Sequence, residues 1–290
     1  MKRSTKVWVG IGAFVITGGG YTAISSTPAV TAPAPDFGNS ICSPSRKGSA
    51  AKAPLIRFAQ AQGGEGGEGG EGGEAGAANL PPDLKFALSI ALIRGHLLIG
   101  DQLVAEKQWD AAFPHFMHPV EELYDGIKDQ VADYNTPQFL NELNALAKVV
   151  EAKNAKQYAA ARRKVDAALA KADAGIKAKH AEAPFALQTA LEAMKVAAGE
   201  YQAAIVGGKI AKPVEYQDAR GFILYAETLI EGAAAPLGKK NADALKKLRG
   251  YVGELKKVFP TAMPPKTPVK NAGAMRALVS RVELAAGDLL

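Results

Sequence analysis

Apolar residues recur at three- and four-residue spacing from position 84 onward. Leu84, Leu88, Ala91, Leu92, Leu98 and Leu103 form one stripe, and Phe86, Ile90, Ile93, Leu97 and Ile99 widen it. This proline-free pattern predicts a helix over 84–106, apolar on nearly every side and so buried among several others. Arg94 and His96 within it argue against a membrane span. Pro81-Pro82-Asp83 precedes it, with Asp83 as the expected N-cap. Further helices are predicted over 109–118, 119–134, 137–153 and 155–180. Phe139, Leu140, Leu143, Leu146 and Val150 supply the stripe of the third. The last is Ala-rich and basic, the pattern of a solvent-facing helix with a narrow apolar seam.

A second series follows over 185–201, 214–231, 241–259 and 272–289. Its layout repeats the first: a long helix, a short loop carrying Gly207-Gly208, then a proline-started helix at Pro213-Val214-Glu215. Pro119-Val120-Glu121 stands at the corresponding place in the first series. No strand is expected in 81–290. The fold class is therefore all-α, as two pseudo-symmetric four-helix bundles or one long up-down helical bundle after a disordered N-terminal segment. The expected domains are residues 81–182 and 183–290.

Upstream of residue 81 the pattern disappears. Lys2, Arg3 and Lys6 precede about a dozen apolar residues from Val7, the layout of an export signal or, with the run extended to Ile24, an uncleaved anchor over 1–32. Residues 33–80 read as a Pro/Gly/Glu-rich tether, with Gly-Gly-Glu repeating from Gly63 to Glu74; so much glycine costs too much entropy to order. Of 30 glycines, 16 lie in the first eighty residues, so the average composition describes two different materials. Cys42, the single cysteine, sits in the tether, which excludes an internal disulfide framework and any multi-cysteine metal site. The formal charge of +6 is mild for 290 residues, and no nucleic-acid partner is expected.

The candidate chemistry lies in the histidines. Three of four, His96, His115 and His118, fall close together in sequence. On a continuous helix His115, His118 and Glu122 lie within about 60° of arc, with Glu121 beside them, and His96 can approach from the preceding antiparallel helix. Imidazole and carboxylate together suit a transition metal, with iron favoured and zinc or copper fitting the same donors. A structural reading stays open. His118 can end one helix before Pro119 starts the next, and His96 can bond a carboxylate such as Asp101. In the second series, Glu215, Asp218 and Arg220 read either as surface neighbours or as groups by which Glu215 or Asp218 meets the histidines. No Walker loop, nucleophile elbow or zincin motif is present, and nothing in the sequence asks for an enzyme.

His118-Pro119-Val120-Glu121 resembles the HxxE motif of the imelysin-like family, which includes periplasmic iron-uptake proteins built from two helical bundles. The family's fuller motif, Gly-x-His-x-x-Glu, has Phe116 here at the glycine position. The resemblance implies His118 and Glu121 as ligands and a role in metal acquisition. The expectation is an exported, periplasmic protein, with an inner-membrane anchor as the alternative. It binds a metal ion for uptake, delivery or sensing, with a membrane or periplasmic partner protein. The competing expectation is a metal-free, tethered helical module that binds a partner protein.

Overall fold

The computed structural model describes residues 79–290. The expected export signal, Cys42 and all but the last two residues of the expected tether lie outside these residues. Within them the protein is all-α. The chain runs α1 (Pro82–Ala105), α2 (Trp109–Ala112), α3 (Pro114–His118), a π turn (Pro119–Leu123), a 3-10 turn (Val131–Tyr134), α4 (Leu140–Glu151) and α5 (Ala155–Lys179). It continues through α6 (Ala183–Ala204), α7 (Pro213–Gly232), α8 (Ala234–Lys240), α9 (Ala242–Lys256) and α10 (Ala272–Ala286).

Proline spacing explains where the helical pattern breaks. The region expected as two helices over 109–134 is broken into the short helices α2 and α3, a π turn and a 3-10 turn. Pro119 has no N–H to close an α-helical bond to the His115 carbonyl, and the chain widens into a π turn closed by Tyr124 N–H donating to Pro119 O at 3.0 Å. Asn154, Asn241 and Asn271 cap α5, α9 and α10, each accepting the N–H three residues on. Asp83 does not cap α1. Its carboxylate instead accepts from Tyr134 Oη and from His180 Nε2 (2.8 Å), tying the start of α1 to the end of α5. Where no strand was expected, Ile205–Val206 pairs with Lys209–Ile210 as a minimal hairpin. Gly207 and Gly208 turn it with φ of 58° and 74°, a backbone that L side chains rarely adopt. The hairpin folds α7 back along α6.

α6 and α7 form the most extensive helix pair, and α1 packs against both. α1 is long and apolar enough to cross a membrane by length and composition, but its side chains are buried inside the protein as its core helix. Along it, Phe86, Leu88, Ile90, Ile93, Leu97 and Ile99 join the same hydrophobic cluster as Met194 of α6 and Phe222 of α7. At the crossing of α1 and α7 the backbones meet. A Cβ on Gly95 would lie 3.2 Å from the Gly221 carbonyl oxygen and 2.6 Å from the Phe222 ring, and one on Gly221 would press into the Gly95 carbonyl. Only two glycines allow this approach.

Gly221→Ala is therefore expected to force α1 from α7 and cost about 1–3 kcal/mol, lowering Tm by roughly 2–10 °C. Gly250→Ala, on the exposed face of α9 with open space around it, is the control and should be neutral or stabilising by up to about 1 kcal/mol. Paired thermal melts check both; equal Tm values for the two variants would refute the close-crossing argument.

Candidate metal centre

The glycine crossing places α1 residues beside α7 residues, and this assembles the site. His96 follows Gly95 on α1, and Asp218 lies one turn before Gly221 on α7. His96 Nδ1 stands 2.7 Å from Asp218 Oδ1. A second glycine, Gly100, lets the Phe116 ring lie directly on α1; a Cβ there would be 2.6 Å from Phe116 Cε2. That contact seats α3 and carries His115 and His118 to the same carboxylate. His115 Nδ1 is 2.7 Å from Asp218 Oδ1, and His118 Nδ1 is 3.2 Å from Oδ2. Three imidazole Nδ1 atoms from two elements thus converge on one carboxylate. His96 and Asp218 are each 3% exposed and His115 is fully buried, whereas His118 and Glu122 reach the surface.

The far side of His115 is also fixed. Gln217 Oε1 accepts from His115 Nε2–H at 3.0 Å, while its amide Nε2 donates to Met263 Sδ at 3.6 Å. Met263 sits on the segment between α9 and α10, held by Tyr216 Oη donating to Thr261 O (3.1 Å) and Thr261 Oγ1 donating to Met263 O (2.7 Å). A thioether has no proton to give, so the amide must turn its nitrogen toward Met263 and its oxygen toward His115. With Nε2–H committed to Gln217, His115 meets Asp218 with either a second N–H or a lone pair. A second proton makes a buried imidazolium. A lone pair against a carboxylate oxygen calls for a cation between them.

His96 shows the same need. Its Nδ1 is buried and close to Asp218 but out of line for a hydrogen bond, and it has no other partner. Ligand atoms of His96, His115 and Asp218 all lie within 4.8 Å of one another. Ligands about 2.1 Å from a metal stand about 3 to 4 Å apart, so the 2.7 Å contacts to Asp218 would open slightly and any wider gap would close to admit an ion.

The electrostatics follow from burial competing with proximity. Burial by itself would raise the pKa of Asp218, but the surrounding imidazoles, His96 and His115 foremost, hold it well below the usual carboxylate range. For His96 burial wins over the carboxylate and the ring is held neutral, its pKa lowered. For His118 burial also pulls downward, yet Asp218, Glu122 and Glu200 together push it up to about 9. Glu122 is raised by burial, against the pull of His118. The ion-free cluster at pH 7 therefore pairs an Asp218 carboxylate with a His118 imidazolium.

Of the residues expected from sequence, the structure brings together His96, His115 and His118, with Glu122 Oε2 at 4.0 Å from His118 Nδ1 across the π turn. Glu121 is exposed beside them, and no ligand group of Glu121 joins the buried cluster. Asp101 does not take His96; it holds Arg162 (Nε at 3.0 Å) and Tyr158. His180 lies apart, between Asp83 and Glu182. Asp218, open in sequence as surface residue or partner of the histidines, is the centre of the cluster. Gln217 gave no sequence signal beyond its place among the polar residues at the start of α7, and Met263, between α9 and α10, gave none.

Residues 176–290 match the family model described as the iron permease-associated 4-helix bundle domain. The match takes in α6 through α10, and with them Gln217, Asp218 and Met263, but not His118-Pro119-Val120-Glu121. No curated protein and no solved structure matches the chain.

A pH dependence follows for the ion-free protein. The folded pKa of His118, about 9, exceeds the free imidazole value of about 6.5. Its pairing thus stabilises the fold fully below about pH 6.5 and is lost as pH rises through about 9. Chelator-treated protein should show a falling Tm between pH 7 and 9.5, and His118→Gln should flatten that slope. NMR titration of His118 should give a pKa near 9, returning toward 6.5 in Asp218→Asn.

Proposed function

We propose that the protein binds a divalent transition-metal ion as cargo, ferrous iron above others, at His96, His115 and Asp218, and serves iron uptake alongside a membrane permease. The observation that carries this reading is the convergence of three imidazole nitrogens on one buried carboxylate, with His96 Nδ1 left without a hydrogen bond. Two histidines and one carboxylate with remaining positions open form a donor set suited to ferrous iron, and the absence of thiolates disfavours softer ions. Gln217 is the positioning residue: by taking His115 Nε2–H it keeps the Nδ1 lone pair directed at the ion. The match of residues 176–290 to an iron permease-associated domain supports iron as the cargo and a permease as the partner.

His118 and Glu122 stand at the exposed edge of the site, with Glu121 outside them. These groups would meet an incoming ion first. His118 then trades its proton for the ion, so binding at pH 7 should release about one proton. Zinc and copper fit the same donors and bind nitrogen and oxygen ligands more tightly than ferrous iron, so the choice of iron rests on the family match. The N-terminal pattern over residues 1–32 supports export, and with it a periplasmic role in the capture of such an ion.

The test is anaerobic titration of the purified protein with ferrous iron, read by bound metal and by calorimetry in buffers of different ionisation enthalpy. One iron per chain and release of about one proton are expected. Asp218→Asn and His96→Ala should weaken binding by at least about a hundredfold, Gln217→Leu by about 10–100-fold, and Glu121→Gln by less than about threefold, while slowing capture. Equal iron content in the wild type and Asp218→Asn would reject the site.

A further inference from the structure

The five cations Lys156, Arg163, Lys164, Lys171 and Lys177 are exposed on α5, and none forms an ion pair among the described residues. At 100° per residue they fall within about 140° of arc, along a helix roughly 37 Å long. Between them the exposed floor is alanine: Ala160, Ala167, Ala170 and Ala174. The helix has two carboxylates, and both are occupied at its margin. Asp166 is bound to Arg162, and Asp173 to Arg94 of α1. Residues 79–290 hold 28 basic and 24 acidic side chains, and α5 alone holds seven of the basic and two of the acidic. Without α5 the described part of the chain would carry 21 against 22, so α5 supplies its positive charge.

We propose that this outer face of α5 docks the protein on an anionic phospholipid surface. The choice of lipid over an acidic protein rests on the make-up of this face. Protein interfaces are anchored by large buried side chains such as Trp, Tyr or Arg packed in pockets, and this face offers only alanine between flexible cations. Those cations suit a diffuse layer of headgroup phosphates. The row also ends at Lys177, which borders a cavity of 410 Å³ whose wall mixes apolar residues such as Ile90, Ile176 and Phe185 with Asp173, His180 and Glu182.

The full-length protein would be sedimented with phosphatidylcholine vesicles and with vesicles containing one part in about three of phosphatidylglycerol. Wild type would be compared with Lys156→Glu/Lys164→Glu/Lys171→Glu, and circular dichroism and iron content would confirm the fold of the variant. The N-terminal apolar run is common to both proteins, so the difference reads α5. Wild type should bind the anionic vesicles at least about tenfold better than the neutral ones at about 50 mM salt, and lose that preference at about 500 mM. The variant should lose at least about a hundredfold in affinity for the anionic vesicles. Equal binding to both vesicle types, or an unchanged preference in the variant, overturns the proposal; equal binding would leave the cations to an acidic protein partner.

Discussion

The backbone contact between Gly95 and Gly221 is the constraint on which the rest of the structure depends. Helices with ordinary side chains at a crossing stand about 8–10 Å apart; here neither position has room for a Cβ. Closeness has two consequences. It lets α1, apolar nearly all round, sink between α6 and α7 and bury its long stripe. It also carries His96 and Asp218, which flank the two glycines, into direct contact at 2.7 Å. The same contact thus makes the core tight and puts a carboxylate and an imidazole inside it. Gly100 repeats the device one turn and a half later, drawing α3 and its two histidines onto α1 through Phe116.

A carboxylate buried this deeply is costly unless it is paired. Asp218 meets that requirement with three imidazoles rather than with Arg or Lys, and the choice matters. An arginine would have neutralised it permanently. Imidazoles neutralise it conditionally, since each nitrogen holds a proton, a lone pair or a metal. The burial that depresses His96 and the neighbouring charges that elevate His118 then separate their pKa values within one cluster. One ring is held neutral and another holds its proton. The Gln217–Met263 pair completes this by fixing which nitrogen of His115 faces the carboxylate.

Charge elsewhere is arranged on the opposite principle. On α5 the acidic groups are tied up at one edge and five of the cations are left to solvent, while around the histidine cluster the exposed groups Glu121 and Glu122 are acidic. A cation approaching the protein is favoured at one place and repelled at the other. The two regions lie on different helices, and each can be altered without the other.

Periodicity determined much of the architecture. The continuous apolar spacing of 84–106 specified a buried helix, and the long helices α5, α6, α7, α9 and α10 stand close to where their stripes placed them. Local rules also set the Asn caps and the turn at Gly207-Gly208. Prolines blurred the region from 109 to 134, because pattern does not say whether a missing N–H kinks a helix, ends it or widens it. His96, His115, His118 and Glu122 were legible as one group because they are near in sequence and share a helical face. Asp218 was visible only as one of several polar residues, and Gln217 and Met263 not as site residues at all. Their roles depend on which helices cross and how closely, and a crossing distance is set by the side chains of two segments more than a hundred residues apart. The sequence alone determined the helices and set three histidines near one another; tertiary packing decided which carboxylate those histidines share, because only the meeting of two glycines brings it within reach.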